Sequence, residues 1–381
     1  MNILYCIPHL FNAGGMERVL TQKANWLASH TEHSITILTT EPVPPGTNEC
    51  YFPLSDKVKV VNLNIGFNAD YTKPLPAKYF AHMRRMRVYR RALIEYIRAN
   101  SIDLCISLCG KEIAFLRALP CRTIAELHFS KDHRQQLLMA NHSGAFWSLL
   151  GRIRTRQLVR ALQPLEQFIV LTEEDRAEWQ KAGCSNVTVI PNPCSLDGTN
   201  LPKMAKTKTV LAVGRLHEQK GFDVLLHAWQ HIEQVSPEWS LRIVGEGPKR
   251  KELENQINEL RLQRVVMTGC VSNVKREYIS ASLFVLSSRY EGLPLALIEA
   301  MWCGLPCIAF DCPHGPKALL ADCRGWIVPN GNTDALSEQI AYTLAHPEEA
   351  AERAEKAQAF AHTAYSEKTI MPKWLKVING K

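Results

Sequence analysis

The sequence lacks an apolar run that could cross a membrane. Its most apolar long window, residues 293–310, is interrupted by Glu299, Gly304 and two prolines. A charge and helix breakers at these places would leave costly groups inside the lipid. The segment from Met1 to Pro8 also lacks the basic residues and the long apolar core of a signal peptide. We therefore expect no spanning helix, a buried first strand and a cytoplasmic location.

The sequence also lacks the usual signals for a metal site. None of its 12 cysteines forms a C-x2-C pair, and there is no Asp-x-Asp cluster. The cysteines are scattered through apolar segments, which is typical of small core residues in a reducing compartment. Two pairs are four residues apart, but Cys303 and Cys307 straddle a glycine and a proline. We expect no metal or redox role for the cysteines.

Composition and pattern indicate an ordinary globular α/β protein. Of the 381 residues, 46% are hydrophobic and 22% are charged, and the length suffices for two domains. Short apolar strands alternate with amphipathic helices in both halves, which predicts two doubly wound parallel sheets. We expect a first domain over residues 1–196 and a second over residues 197–362. The polar stretch from Asp197 to Lys208 has the composition of a linker.

One stretch combines a buried strand, a polar loop and a helix start. Residues 281–286 predict the strand, and Pro294 suits a first helical position because it has no N–H that would need a partner. Backbone N–H groups in the stretch from Gly292 to Leu295 would then favour an anion, usually a phosphate. Glu291 lies on the rim of this predicted site, and Glu299 lies about a turn and a half into the helix. Taken alone, such carboxylates are more often solvated helix-end groups.

A second motif places two cations after a buried strand. Residues 209–213 predict the strand, and Arg215 and Lys220 follow it in the pattern G-R-x4-K-G. Two cations at the end of a parallel strand are costly to desolvate unless they face an anion, and a diphosphate would satisfy both. Either residue alone would be a surface cation by default.

Together the two motifs resemble those of a known enzyme family. Glu291-Gly292-Leu293-Pro294, followed by Leu297-Ile298-Glu299-Ala300, resembles the E-x7-E signature of the family 4 retaining glycosyltransferases, and G-R-x4-K-G resembles their phosphate clamp. The resemblance covers essentially the whole chain. It implies the GT-B fold, with two Rossmann-like domains facing an interdomain cleft. The first would bind the acceptor, the second would bind the nucleotide-sugar donor, and a C-terminal helix within residues 363–381 would pack back on the first.

The resemblance also implies roles for individual residues. Glu291 would hold hydroxyls of the transferred sugar, Glu299 would hold the ribose, and His128, at the end of a strand over residues 122–128, would lie near the transferred sugar. A lone histidine is more often structural, and a lone Gly-Gly pair is more often a tight turn. The catalytic candidates are Arg215, Lys220, Glu291 and His128, and the donor-binding candidates are Gly14, Gly15, Gly214, Gly245, Val271, Gly292, Leu293, Pro294, Leu295 and Glu299.

The implied reaction moves a hexose or N-acetylhexosamine from a nucleotide diphosphate sugar, a UDP-sugar in our expectation, to a hydroxyl of a glycan or lipid-linked acceptor. Bacterial surface polysaccharide or lipopolysaccharide biosynthesis is the expected context. We expect no resident cofactor and no metal requirement, because the two cations would neutralise the diphosphate. No protein nucleophile is identifiable.

Three alternatives remain. A GT-B sugar-nucleotide epimerase would share the donor site but needs no acceptor surface. A glycoside hydrolase would use two carboxylates across the sugar but has no use for the two cations. A non-catalytic nucleotide-sugar-binding protein would share the motifs without turnover. Donor hydrolysis assayed without acceptor, with the product identified, separates the first two from a transferase.

Positive charge is concentrated in one window. Residues 73–98 contain eight Lys or Arg and one Glu, a net charge of +7 against +8 for the whole chain. Apolar residues recur at Phe80, Met83, Met86 or Val88, Leu93, Ile94 and Ile97. This pattern predicts a basic amphipathic helix, which is either a solvated face or a site of peripheral attachment to the cytoplasmic face of an anionic membrane. Evenly interleaved aromatic residues are missing, so we expect no nucleic-acid partner.

Overall fold

Runs of aliphatic and β-branched residues form the strands of two separate parallel sheets. The computed structural model describes residues 1–70, 75–131, 144–196 and 206–380. By internal contacts the chain divides into one unit of Met1–Pro191 with Lys373–Lys381 and a second unit of Asn192–Pro372. The sequence placed the boundary after residue 196 and a linker over residues 197–208, most of which lies outside the described residues.

The first unit contains a seven-stranded sheet in its described part, in the order β3-β2-β1-β4-β5-β6-β7, with every neighbouring pair parallel. Its strands are β1 (Asn2–Cys6), β2 (Ser34–Thr39), β3 (Val58–Asn62), β4 (Leu104–Ser107), β5 (Arg122–Glu126), β6 (Gln167–Val170) and β7 (Val187–Val189). Its helices are α1 (Gly15–His30), α2 (Leu75–Ala99), α3 (Ala145–Leu162) and α4 (Glu173–Lys181). Because parallel strands all end at one edge, the loops after β1 and β5 start from the same side of the sheet.

The core of the first unit is built on the pattern that the sequence predicts. Phe168 on β6 and Trp179 on α4 are fully buried, and their rings meet edge to face at 5.3 Å. The hydroxyl of Thr172 accepts a hydrogen bond from the backbone N–H of Asp175 and so caps α4. The strand before this helix and the helix itself are therefore fixed by local sequence and by burial together.

Helix α2 is amphipathic, and only part of its apolar pattern is buried. Tyr89, Leu93 and Ile97 are buried against the sheet, whereas Phe80 and Val88 are exposed. The buried residues follow a strict i, i+4 spacing, and Tyr89 joins them because its hydroxyl donates to Glu112 inside the core. Of the apolar residues that define the predicted amphipathic helix, Leu93 and Ile97 are therefore buried, whereas Phe80, Met83 and Val88 are exposed.

The second unit contains a six-stranded sheet in its described part, in the order β10-β9-β8-β11-β12-β13, again with parallel neighbours. Its strands are β8 (Thr209–Val213), β9 (Ser240–Val244), β10 (Val265–Gly269), β11 (Leu283–Leu286), β12 (Cys307–Phe310) and β13 (Trp326–Val328). Its helices are α5 (Phe222–Val235), α6 (Arg250–Glu259), α7 (Val274–Ser280), α8 (Leu295–Trp302), α9 (Pro316–Leu320), α10 (Thr333–Ala345), α11 (Pro347–Ala364) and α12 (Glu367–Ile378). The predicted fold class, α/β with two doubly wound parallel sheets, is confirmed.

The C-terminal helix α12 contributes its last residues to the first unit. The guanidinium of Arg122 donates to the carbonyl oxygens of Ile378 and Val377 at 2.6 and 2.8 Å. Trp374 is buried there as well. No helix in the described ranges is both long enough and apolar enough to cross a membrane.

Candidate functional site

Two glycines bring the loops after β8 and β9 into backbone contact. The N–H of Gly214 donates to the carbonyl oxygen of Val244 at 3.0 Å. Gly245 has a φ of +144°, and a β-carbon there would lie 2.0 Å from the carbonyl oxygen of Gly214. Only glycine fits at this crossing, so the loop that carries Arg215 is fixed by main-chain packing.

The turn that carries Lys220 is pressed against the loop after β11. Gly221 has a φ of +60°, and a β-carbon on it would lie 2.1 Å from the carbonyl oxygen of Ser287. The hydroxyl of Ser287 in turn donates to the carbonyl oxygen of Lys220 at 2.9 Å. The aliphatic carbons of the Lys220 side chain pack close to Gly214, and a larger residue in place of Gly214 would obstruct them.

Arg289 fastens these two segments with a bidentate ion pair. Its guanidinium donates to both carboxylate oxygens of Asp223 at 2.8 and 2.6 Å, and its backbone N–H donates to the carbonyl oxygen of Gln219 at 2.8 Å. Burial opposes ionisation of Asp223, but the hydrogen bonds and charge of Arg289 hold its pKa below the ordinary value. Bidentate pairing of this kind fixes geometry as well as charge.

The result is a direct ion pair between two predicted catalytic residues. Lys220 Nζ lies 2.6 Å from Glu291 Oε1, although 71 residues separate them in the sequence. The Glu291 side chain is 6% exposed and the Lys220 side chain 19% exposed, so the pair is mostly buried but still accessible to solvent. Arg215 lies in the same loop region but is exposed, and no ion pair of its side chain is found among the residues that the structure describes.

The helix start predicted to bind phosphate begins one residue later than expected. Pro294 is the N-cap, with φ −75° and ψ 87°, and α8 starts at Leu295. Pro294 packs tightly against Gly315, where a β-carbon would lie 2.8 Å from the proline Cδ. The expectation that Pro294 is the first helical residue was therefore wrong, because its ψ is not helical. Gly292 precedes it and is half-buried, and Leu293 is buried.

Glu299 lies inside the unit and is hydrogen-bonded on both oxygens. The hydroxyl of Ser195 donates to Oε1 at 2.6 Å, and the hydroxyl of Tyr278 donates to Oε2 at 2.9 Å. The carboxylate is thus oriented by two side chains from outside its own helix. A hydroxyl donor can exchange for another hydroxyl, so this setting is compatible with the ribose role, which stays a prediction.

In the first unit, the glycine loop after β1 forms the start of α1. Gly14 is its N-cap and Gly15 its first residue. The carboxylate of Glu17 folds back over Gly14, where a β-carbon would lie 2.1 Å from Oε2, and its other oxygen lies 3.2 Å from His9 Nδ1. A carboxylate near the first turn already complements the helix dipole. A donor phosphate at this loop would have to displace it.

His128 follows β5 and lies beside a buried ion pair. Its Nε2 lies 3.0 Å from Glu126 Oε1, and Lys23 Nζ lies 2.5 Å from both oxygens of the same carboxylate. The side chains of Lys23 and Glu126 are 0% exposed and that of His128 is 5% exposed. Burial acts to raise the pKa of Glu126, but the charges of Lys23 and His128 lower it to about 2.

Comparison with protein families identifies the chain. The family described as "Glycosyltransferase Family 4" matches residues 13–197, and the family described as "Glycosyl transferases group 1" matches residues 199–360. The two matches together span most of the chain. The chain belongs to the family 4 glycosyltransferases.

Curated relatives match this glycosyltransferase along its whole length. An uncharacterized glycosyltransferase of Haemophilus influenzae is 28% identical over 97% of this chain and 98% of its own. The amylovoran biosynthesis glycosyltransferase AmsD of Erwinia amylovora is 26% identical over 99% of both chains. An α-1,4-N-acetyl-D-galactosaminyltransferase of Campylobacter jejuni, named for an undecaprenol-linked GalNAc substrate, is 28% identical over 90% of this chain and 89% of its own.

Solved structures confirm the fold class. The crystal structure of S. aureus TarM G117R, in complex with fondaparinux, α-GlcNAc-glycerol and UDP, has a TM-score of 0.78 and 16% identity, and the match covers 99% of both chains. The lipopolysaccharide glycosyltransferase WaaG has a TM-score of 0.74 and 18% identity, and the match covers 100% of both chains. The glycosyltransferase thus has the predicted GT-B fold.

The structure brings some predicted site residues together and leaves others apart. In the second unit Lys220 contacts Glu291 directly, Gly214 and Gly245 cross beside them, and the half-buried Val271 follows β10, whose Gly269 carbonyl accepts from the Gly245 N–H at 3.0 Å. In the first unit Gly14 and Gly15 form the start of α1 after β1, and His128 follows β5 of the same sheet. The roles assigned to all of these residues stay predictions.

Several residues of the glycosyltransferase that contact and orient the predicted site residues were not identified from the sequence. Lys23 escaped notice, although it interrupts the apolar stripe of α1 between Val19 and Leu27 at i, i+4 spacing, and a lysine there is a signal of a buried partner. Ser195, Tyr278 and the Asp223–Arg289 pair gave no such signal.

The described residues form no candidate metal site. In the described parts of the chain, no group of three or more His, Cys, Asp or Glu side chains is placed to hold a metal ion.

Proposed function

We propose that this glycosyltransferase is a retaining enzyme that transfers a hexose or N-acetylhexosamine from a UDP-sugar to a hydroxyl of a glycan or lipid-linked acceptor. The observation that carries the proposal is the 2.6 Å contact between Lys220 and Glu291. It joins the cation motif to the E-x7-E motif, so that a group for the leaving diphosphate and a group for sugar hydroxyls lie side by side.

The donor assignment is supported by the chemistry of this pair and by the relatives. A cation next to a carboxylate suits a ligand with a phosphate and a hydroxyl-rich sugar at adjacent positions. UDP is bound in the TarM complex, and the C. jejuni relative is named for transfer of an N-acetylhexosamine. These point to a UDP-linked hexose or N-acetylhexosamine as the donor.

In the proposed mechanism the bond between the anomeric carbon and the diphosphate oxygen breaks, and the acceptor oxygen bonds to the same face of that carbon. The acceptor proton passes to an oxygen of the leaving phosphate. Lys220, Arg215 and the start of α8 stabilise the negative charge that grows on the diphosphate. His128 is assigned to the sugar on the resemblance alone.

Lys220 has to serve two partners in this mechanism. Its ammonium group is held by Glu291, so an incoming diphosphate competes with that carboxylate for one charge. As Lys220 turns to the phosphate, Glu291 is released to accept hydrogen bonds from sugar hydroxyls. The ion pair therefore couples donor binding to the positioning of the sugar.

We assign the acceptor to bacterial surface polysaccharide or lipopolysaccharide biosynthesis. This assignment is supported by the names of the E. amylovora and C. jejuni relatives, the latter of which acts on an undecaprenol-linked substrate. The basic helix α2 would suit an enzyme that meets its acceptor at an anionic membrane surface.

The decisive experiment combines donor screening with product analysis. Nucleotide sugars are screened by thermal shift, because a ligand at 100 times its dissociation constant stabilises the folded state by about 2.7 kcal/mol. The donor found is then incubated with lipid-linked acceptors, and the anomeric configuration of the product is determined by NMR. An α-linked product from an α-linked donor is expected. An inverted product, or epimerised nucleotide sugar without transfer, would refute the proposal.

The same assay tests independence from metal ions. We expect turnover to survive EDTA, because Lys220 and Arg215 supply the positive charge that a divalent ion would otherwise bring to the diphosphate. Loss of activity on chelation, with recovery on adding Mn²⁺ or Mg²⁺, would contradict this part.

A further inference from the structure

Glu299 is a buried carboxylate that already accepts hydrogen bonds from two hydroxyl groups of the protein. Ser195 donates to Oε1 at 2.6 Å, and Tyr278 donates to Oε2 at 2.9 Å. Such donors are needed because a carboxylate held away from water without partners is costly. Glu299 is only 3% exposed. A hydroxyl of a ligand therefore reaches this carboxylate where one of the two present donors gives way.

Tyr278 is the donor that is fixed. It lies on α7 and is fully buried. Its ring lies 5.9 Å from that of Phe284 on β11, which is fully buried as well. Movement of the Tyr278 ring would require this close-packed core to rearrange, and it would take the hydroxyl away from the carboxylate. Tyr278 therefore keeps its hydrogen bond to Glu299.

Ser195 is the donor that can be replaced. It is half-buried and lies in a stretch of irregular backbone after β7. The backbone beside it is held by the N–H of Cys194, which donates to the carbonyl oxygen of Tyr365 at 2.8 Å. Rotation about the Cα–Cβ bond of Ser195 is enough to move its hydroxyl off Glu299 while the backbone stays in place.

We propose that Ser195 occupies the place of a ribose hydroxyl on Glu299, and that nucleotide binding exchanges one hydroxyl for the other while Tyr278 holds the carboxylate. Ser195 and Tyr278 are then positioning residues that act through Glu299. The carboxylate keeps its hydrogen bonds throughout the exchange, and the returning hydroxyl of Ser195 favours release of the nucleotide after transfer. The inference rests on the proposed function, in which the enzyme binds a UDP-sugar.

Ser195→Ala tests the exchange, with Ser280→Ala as the matched control. Ser280 is a half-buried serine of the same unit, and its hydroxyl donates to the carbonyl oxygen of Glu277 at 3.3 Å. Ser195→Thr keeps the hydroxyl at the tested position. Thermal unfolding without ligand shows that each variant is folded. Isothermal titration calorimetry then measures binding of UDP and of 2′,3′-dideoxy-UDP, which lacks both ribose hydroxyls.

Ser195→Ala is expected to bind UDP roughly threefold to tenfold more tightly than the wild type, because the ligand no longer displaces an internal hydrogen bond. The dideoxy analogue should bind to both proteins equally. Ser280→Ala and Ser195→Thr are expected to match the wild type with either ligand. Tyr278→Phe should instead weaken UDP binding, because it removes the donor that holds the carboxylate.

Unchanged or weaker UDP binding by Ser195→Ala would overturn the inference, because Ser195 would then not compete with the ribose. An equal gain for UDP and for the dideoxy analogue would do the same. Tighter UDP binding by Tyr278→Phe would contradict the distinct roles of the two donors. Failure of the proposed function is recognised separately, since a wild type that binds no UDP would refute the donor assignment and the inference together.

Discussion

Lys220 and Glu291 constrain each other at the scale of single residues. The lysine is held by a carboxylate at 2.6 Å, its turn is locked by Gly221, and the loop bearing the carboxylate is locked by Arg289. The backbone of both segments is thus fixed, so in the proposed mechanism only the Lys220 side chain has to move from the carboxylate to the diphosphate. Arg215 is exposed, and its side chain has no ion pair among the residues that the structure describes.

We predict that Lys220→Ala and Arg215→Ala each lower kcat by about 10²- to 10³-fold, the usual loss when one such electrostatic contact is removed. Steady-state kinetics with the donor identified by screening measures the effect. Because Lys220→Ala also leaves Glu291 without its cation, thermal unfolding is recorded beside it.

Lys249→Ala is the matched control. Lys249 belongs to the same unit and pairs at 2.6 Å with the exposed Glu252, so its removal should leave turnover at the wild-type level. If Lys220→Ala behaved like this control, the phosphate-clamp assignment would be wrong.

At the scale of elements, helix α2 presents arginines and apolar side chains on one exposed face. Phe80 is 72% exposed and Val88 is 51% exposed. The exposed arginines of this face are Arg84, Arg87, Arg90, Arg91 and Arg98. Arg85 differs, because its guanidinium donates to the carbonyl oxygen of Ile65 and so makes a structural contact within the first unit. Exposed cations and exposed apolar side chains are both groups that can bind an anionic membrane surface.

We predict salt-sensitive binding of the protein to anionic liposomes, weakened when four α2 arginines are changed to glutamine. The four are Arg84, Arg87, Arg90 and Arg91. Each cation near the surface contributes about 1 kcal/mol at low salt, so sedimentation at low ionic strength should show a large loss. Nucleotide binding should be unchanged.

Helix α3 supplies a control of equal charge. Its exposed arginines, Arg152, Arg154, Arg156 and Arg160, are changed to glutamine in a second variant, which should lose less binding than the α2 variant. Equal losses would indicate a general effect of net charge. Negligible binding of the wild type to both anionic and neutral vesicles would exclude the membrane proposal.

For the whole molecule, we expect stability in acid to depend on the buried pair of Lys23 and Glu126 in the first unit. Although burial acts to raise it, the charges of Lys23 and His128 lower the pKa of Glu126 to about 2, whereas the unfolded chain has an ordinary glutamate. A lowered folded-state pKa means that the pair stabilises the protein above the unfolded pKa and that this stability is lost as the pH falls towards the folded one.

We therefore predict that the wild type loses stability more steeply than the Lys23→Met, Glu126→Gln variant between about pH 5 and about pH 3. Urea unfolding at several pH values measures the difference, and the other carboxylates cancel because both proteins share them. Parallel stability curves for the two proteins would show that Glu126 has no such coupling.

The fold class and the two site motifs can be read from the residues alone. Alternating strands and helices leave a local periodicity, and the motifs G-R-x4-K-G and E-x7-E are contiguous, so both can be recognised without knowing where distant segments meet. The same locality limits what the sequence says about α2. Its period predicts an amphipathic helix, but the burial of Tyr89 depends on its hydrogen bond to Glu112 inside the core.

The residues that hold the site together are apparent only in the folded chain. Lys220 meets Glu291 across 71 residues, and Lys23 meets Glu126 across 103. The sequence of an amphipathic helix does not show which residue a charged side chain will pair with, because strand order and loop packing determine that partner. The Lys23–Glu126–His128 cluster therefore forms only in the folded chain, where α1 and β5 lie close enough for Lys23 to contact Glu126.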